Sequence, residues 1–151
     1  MSPSAALSRR PSVKRWVDRP RLRVWLPSTQ AESLALLRSA FGSQVRLRVL
    51  DGAFWLTRRY LPRLVPLLAR EFGAVDVRLQ FVKGQRCTVR CRTADPETFY
   101  DCTCSCLALR HGGDHTGPSW LREGDVSTCR GLQTLRLVVT DDQLDGLPSS
   151  A

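Results

Sequence analysis

Long apolar runs are missing from this 151-residue sequence. A membrane-spanning helix needs roughly 18–20 consecutive apolar residues, so we expect no transmembrane segment. The start of the chain, Met1 to Arg15, also lacks the apolar core of a secretory signal and is rich in Ser, Ala, Pro and Arg. We therefore expect a cytoplasmic protein with a disordered basic arm over residues 1–20, a transit peptide being the alternative.

Lysine is almost absent as well, since only Lys14 and Lys83 are lysines among 23 basic residues. The formal net charge of +9 is therefore carried by arginine, a bias that GC-rich coding also produces. Residues 1–27 carry a net charge of +6, whereas residues 118–151 carry −2. This asymmetry indicates that a polyanion would meet the front half of the protein.

The front half contains an internal repeat. Residues 24–49 and 54–79 align without a gap at an offset of 30 residues, so that Trp25 matches Trp55. The apolar pattern of each copy predicts a strand, a helix and a second strand. Length and pattern together indicate one domain followed by a smaller appendage.

Local signals fix the boundaries of these elements. Ser28 and Thr29 are helix N-cap residues, and Gly42 is placed to end the first helix. Asp51-Gly52 predicts a two-residue hairpin between the second and third strands. Pro66 is expected to kink the second helix or to delay its start.

Two strand-helix-strand units joined by a hairpin predict an α+β fold, a ferredoxin-like βαββαβ domain over residues 21–82 built from a tandem repeat of about 30 residues. Its strands are expected at 21–26, 45–50, 53–57 and 75–81. The usual strand order 4-1-3-2 would place Trp25 beside Trp55. The expected remainder is a Cys/His-rich segment over 83–131, a C-terminal strand over 132–141 and a frayed tail over 142–151.

Alternation sorts the strand side chains between the two faces of the sheet. Apolar residues such as Leu22, Val49 and Phe54 should face the helices. The other face should receive five arginines and two tryptophans, namely Arg21, Arg23, Trp25, Arg46, Arg48, Trp55 and Arg78. Guanidinium groups neutralise phosphates and indoles stack on bases, so this set predicts a surface for single-stranded nucleic acid. The alternative is that the back half of the chain covers this face and buries both tryptophans.

The RNA-recognition motif shares the predicted topology, and the similarity ends there. Residues 51–56, Asp-Gly-Ala-Phe-Trp-Leu, lack the basic-Gly-aromatic start and the aromatic spacing of that family's third strand. Topology alone does not establish function.

Five of the six cysteines and both histidines lie within residues 87–115. Such clustering of soft ligands indicates a metal, and a reducing compartment disfavours disulfides. The candidate ligands are Cys87, Cys91, Cys102, Cys104, Cys106 and His111. Zinc is the expected ion, because the spacing matches neither common ferredoxin pattern. Cys129 stands apart and is expected to be a small buried residue.

The ligand assignment stays open. Cys102, Cys104 and Cys106 alternate, so one tetrahedral zinc cannot take all three unless the chain turns. Two of them could join Cys87 and Cys91, or His111 could replace one thiolate. A catalytic zinc is the lesser alternative, since no glutamate is placed as a general base and thiolate-rich sites are usually structural.

The cysteine pattern resembles a motif of uncharacterised small proteins of actinobacteria, their phages and their plasmids. The shared positions are Cys87, Cys91, Cys102, Cys104, Ser105, Cys106, His111 and Gly112. The resemblance associates the chain with mobile elements and brings no known activity, and an accessory role for a phage or plasmid belongs to the adaptor alternative. The sequence therefore predicts a non-enzymatic, zinc-stabilised nucleic-acid-binding protein. The alternatives are a protein-protein adaptor built on the zinc module and, less favoured, a metal-dependent hydrolase.

Overall fold

The structure, a computed structural model, describes residues 10–83, 100 and 124–145. Within these residues the chain forms strands and helices of one mixed α+β arrangement. The strands are β1 (Ser12–Arg15), β2 (Arg21–Trp25), β3 (Arg48–Leu50), β4 (Ala53–Thr57), β5 (Ala74–Val82), β6 (Asp125–Cys129) and β7 (Leu132–Thr140). The helices are α1 (Gln30–Phe41), α2 (Leu61–Phe72) and α3 (Asp141–Asp145), with a 3-10 turn at Arg58–Tyr60 before α2.

The seven strands form a single sheet in the order β3-β4-β2-β1-β5-β7-β6. All neighbours are antiparallel except β1 and β5, which run parallel. The expected α+β class is confirmed. The expected adjacency of the strands at 21–26 and 75–81 is wrong, because β1 lies between them and pairs with both.

The prediction of a disordered arm over residues 1–20 is wrong for the described part of that range. Ser12–Arg15 forms the middle strand of the sheet, with Val13 fully buried. The basic composition concealed this strand because one of its two inward positions is an arginine, Arg15, which is also fully buried. Alternation was present, but the charge at an inward position broke the apolar pattern.

Arg15 is buried with its guanidinium hydrogen-bonded to the backbone. It donates to the carbonyl oxygens of Gln80 at 2.6 Å and Tyr100 at 2.8 Å, and lies over the ring of Phe81 at 4.7 Å. Charge-assisted bonds of this kind compensate for part of the desolvation of a buried cation. Arg15 therefore links β1 to β5 and to Tyr100, two residues before Cys102.

The local signals of the first repeat are confirmed. Thr29 caps α1 by accepting a hydrogen bond from the backbone N–H of Glu32, and Gly42 ends the helix with a positive φ. Asp51 and Gly52 form the hairpin turn with φ of 54° and 73°, so that Leu50 pairs with Ala53. In the second repeat α2 begins at Leu61 and continues through Pro66, so its start is not delayed.

Both long helices pack on one face of the sheet. Buried residues of α1 and α2 join one apolar cluster with the inward residues of the strands, including Leu22, Phe54 and Val77. Val49 lies opposite the buried Phe54 and so faces the helices as expected, but it is 41% exposed because β3 is the edge strand. The expected strand over 45–50 is reduced to its last three residues.

The C-terminal part extends the sheet beyond β5. β7 occupies the range expected for a C-terminal strand, and β6, which the sequence did not predict, pairs with it through a turn at Arg130 and Gly131. The tail expected to fray from residue 142 is helical over Asp141–Asp145, and Leu144 is buried in the core. No helix among the described residues is long and apolar enough to cross a membrane.

Candidate functional site

A single row of side chains crosses all seven strands on the face opposite the helices. Strand register places one residue of each strand directly beside the next, from β3 at one edge to β6 at the other. The row reads Arg48, Trp55, Arg23, Lys14, Arg78, Arg136 and Asp125. Residues in register across a sheet project from the same face. We call this set the cross-strand row.

Five members of the cross-strand row are cations. Strands lie about 4.8 Å apart, so the cations from Arg48 to Arg136 extend over about 24 Å. Arg48, Arg78 and Arg136 are exposed, while Arg23 and Lys14 are half-buried. Like charges directly opposite each other destabilise a sheet, so these cations lower the stability of the folded protein. The fold itself does not require cations at these positions.

Lys14 lies where this charge is most concentrated. Burial lowers the pKa of its ammonium group from the ordinary value, and the guanidinium groups of Arg78, Arg19 and Arg23 lower it further. The four cations therefore raise the local positive potential together. An anion placed among them would relieve their mutual repulsion.

Two tryptophans stack beside the cations. The rings of Trp16 and Trp55 are nearly parallel, at 13°, with centroids 5.5 Å apart. The Lys14 ammonium and the Arg19 guanidinium each lie 4.8 Å from the centroid of Trp16. The indole N–H of Trp55 donates to the carbonyl oxygen of Leu50 at 3.4 Å. Both rings are thus held in place on the open face.

Two depressions flank the row at its opposite ends. One, of about 440 Å³, lies at the β3–β4 end and is lined by Trp55 and by arginines of the neighbouring strands and turn. The other, of about 490 Å³, lies over β5, β7 and β6. Arg78 and Arg136 line the second depression together with Asp76 and Asp125, so its charge is mixed. The first depression is lined by three arginines and one aspartate, so its lining is the more positive of the two.

The structure brings most of the predicted surface residues together. Arg23, Arg48, Trp55 and Arg78 belong to the cross-strand row. Arg21 lies on the same face opposite Thr57, in the neighbouring row.

Two expectations about this surface are not met. Arg46 is exposed in a segment that belongs to no strand, so it is not placed in the row. Trp25 lies across from Ser12, and the ring that stacks on Trp55 is Trp16 instead. The reason is that β1 lies beside β2, and Trp16, which directly follows β1, stands outside the repeat.

Sequence reasoning missed five residues of this surface, namely Lys14, Trp16, Arg19, Arg136 and Asp125. The first three were assigned to a disordered arm. The signal that could have revealed them is the period-two pattern from Ser12 to Trp16, which alternates with Val13 and Arg15.

The predicted zinc ligands lie outside the described residues. This applies to Cys87, Cys91, Cys102, Cys104, Cys106 and His111. Over residues 10–83, Tyr100 and 124–145, no group of His, Cys, Asp or Glu is arranged to hold a metal ion. The expected burial of Cys129 is wrong, because it ends the edge-lying strand β6 with its side chain exposed.

Comparison of the chain with protein-family models, with curated proteins and with solved structures finds no match in any of the three.

Proposed function

We propose that the protein binds single-stranded nucleic acid along the cross-strand row and that it is not an enzyme. The observation that carries the proposal is the register itself. Four cations, Arg23, Lys14, Arg78 and Arg136, occupy four consecutive strands in one line, and Arg48 continues the line beyond Trp55. Like charges in direct opposition lower the stability of a sheet. A phosphate backbone lying across the strands would neutralise them.

The tryptophans favour a single strand over a duplex. Trp55 interrupts the line of cations, and its stacking on Trp16 fixes the orientation of the ring. Unpaired bases stack on such aromatic rings, whereas the bases of a duplex are already stacked on each other. The arrangement thus combines a line of phosphate-binding charges with a base-stacking surface.

The test compares two double variants that remove the same charge. Arg78→Gln with Arg136→Gln removes two cations from the row. Arg38→Gln with Arg70→Gln removes two exposed cations from the ends of α1 and α2, on the opposite face. Affinity for a fluorescently labelled (dT)20 strand is measured by anisotropy at low salt, and thermal melting checks that each variant is folded.

The row variant should bind on the order of 100-fold more weakly than the wild type at 50 mM salt, because each lost phosphate contact removes about tenfold at that concentration. The helix variant should lose less than threefold. An equal loss of affinity in both variants would mean that only the net charge of the protein matters, which would contradict binding along the cross-strand row. No loss of affinity in either variant would also refute the proposal. Tighter binding to duplex of equal length would contradict the single-strand assignment.

A structural zinc ion remains part of the proposal. The candidate ligands are Cys87, Cys91, Cys102, Cys104, Cys106 and His111, whose segment is contacted by Arg15 through the carbonyl of Tyr100. Zinc would cross-link this segment and leave the binding to the sheet. Elemental analysis of protein purified without added metal should give one zinc per chain, and chelation should lower the melting temperature. Metal-free protein that melts at the same temperature would contradict this role.

We also propose that the sheet is related to that of the ferredoxin-like fold. If β1 is left out, the neighbouring strands keep the order β3-β4-β2-β5, which is that of a ferredoxin-like sheet. On this view β1 is an insertion that widened the sheet and added Lys14 and Trp16 to its open face.

A further inference from the structure

The depression at the β3–β4 end of the cross-strand row combines three kinds of chemistry. Its positive charge comes from Arg19, Arg21 and Arg48. Trp55 and Leu50 supply apolar surface, and Asp51 supplies a carboxylate. Leu50 is 53% exposed and so presents an apolar side chain to the solvent at this edge of the sheet. The volume of about 440 Å³ lies in the range of small-molecule sites.

The indole of Trp55 lines this depression, whereas Trp16, which stacks on Trp55, does not. The ring is also held by its hydrogen bond to the carbonyl of Leu50. A planar base entering the depression can therefore stack on a surface that is already ordered, at small entropic cost.

Asp51 introduces selectivity among bases. An ionised carboxylate accepts hydrogen bonds and donates none. Guanine presents two adjacent donors, the ring N1–H and the exocyclic amino group, which match the two oxygens of a carboxylate. Thymine offers one donor, and adenine and cytosine offer an amino group beside a ring acceptor that the carboxylate repels. The arginines around the depression would bind the phosphates of the strand, so the Asp51 carboxylate would be the charged group that contacts the base.

We propose that this depression is a guanine site for one nucleotide of the bound strand. The base stacks on Trp55, its donor edge meets Asp51, and the adjoining phosphates lie against Arg21 and Arg48. The inference rests on the proposed function and adds base selectivity to it. Among the described residues that line the depression over β5, β7 and β6 there is no aromatic side chain, so the proposal does not extend to it.

The test uses two nine-nucleotide strands, (dT)9 and the same strand with guanine at its centre. The wild type should bind the guanine strand at least fivefold more tightly. Asp51→Asn should abolish this preference without weakening binding to (dT)9. Asparagine is well tolerated at the positive φ of 54° that this turn requires, so the hairpin is expected to persist.

Two further variants complete the experiment. Asp142→Asn makes the same change on the exposed surface of α3, outside the depression, and should keep the preference. Trp55→Leu should weaken binding to both strands by about tenfold, since it removes the stacking surface. Melting temperatures show whether each variant is folded.

The outcomes separate this inference from the one on which it rests. Equal binding of both strands by the wild type, with steep salt dependence, would overturn the guanine site and leave the proposed function standing. A guanine preference that survives in Asp51→Asn would also overturn it. Failure to bind either strand would overturn both.

Discussion

Replacing Arg78 by Gln should stabilise the folded protein while weakening its binding to nucleic acid. Arg78 is exposed and lies directly between Lys14 and Arg136 in the cross-strand row. Each pair of like charges in direct opposition costs about 0.2–1 kcal/mol, and exposed pairs lie at the low end because solvent screens them. Removing two such pairs should raise the free energy of unfolding by about 0.5 kcal/mol.

The assay is urea unfolding at 20 mM and at 1 M NaCl, followed by circular dichroism. The gain should appear at low salt and disappear at high salt, where the screening length is about 3 Å. Arg70→Gln is the matched control. Arg70 lies in the last turn of α2, where a cation favours the helix dipole, so its loss should cost about 0.3 kcal/mol.

The reasoning would be refuted if Arg78→Gln lowered the free energy of unfolding by 1 kcal/mol or more at low salt. The guanidinium would then be part of what holds the sheet together. A salt-independent gain would also contradict it, because the repulsion in question is electrostatic.

Three other changes test the fold around the site. Arg15→Met should lower the free energy of unfolding by about 2 kcal/mol in urea titration, since it removes this donor from two part-buried carbonyl oxygens, those of Gln80 and Tyr100. An unchanged midpoint would contradict this. Gly124→Ala should lower the free energy of unfolding by about 1–3 kcal/mol, because an added Cβ would lie 2.6 Å from a methyl of Leu135 and 3.0 Å from the carbonyl oxygen of Arg136. An unchanged free energy of unfolding would contradict the position of Gly124 against β7. The pKa of Lys14 is lowered in the folded protein, so the folded state binds this proton less tightly than the unfolded state does. The wild type should therefore gain stability relative to Lys14→Met as the pH rises toward 10.5. A difference in unfolding free energy between the two proteins that stays constant with pH would contradict this.

The repeat was readable from sequence because its signals are local. Caps, periodic apolar residues and the Asp51-Gly52 turn depend on neighbours a few residues away, so their consequences could be predicted one element at a time. The position of β1 could not, because it depends on pairing with Asp76 to Leu79, more than sixty residues later. That pairing also brings the inward-facing Arg15 to the carbonyl oxygen of Gln80 in β5.

The candidate site was predicted in part for the same reason. Alternation placed Arg23, Arg48 and Arg78 on one face, but the sequence of one strand does not determine its register with the next strand. The line that they form, with Lys14 and Arg136 completing it, appears only once the strands are paired. The stacking of Trp55 on Trp16 likewise follows from β1.

The salt dependence of binding to (dT)20 by the wild type tests the central claim most directly. Five cations that each neutralise one phosphate of a single strand predict a slope of about −3.5 for the logarithm of the association constant against the logarithm of the salt concentration. A slope near that value is the result expected of the cross-strand row. A slope no steeper than about −1, or no binding at 20 mM NaCl, would contradict the account.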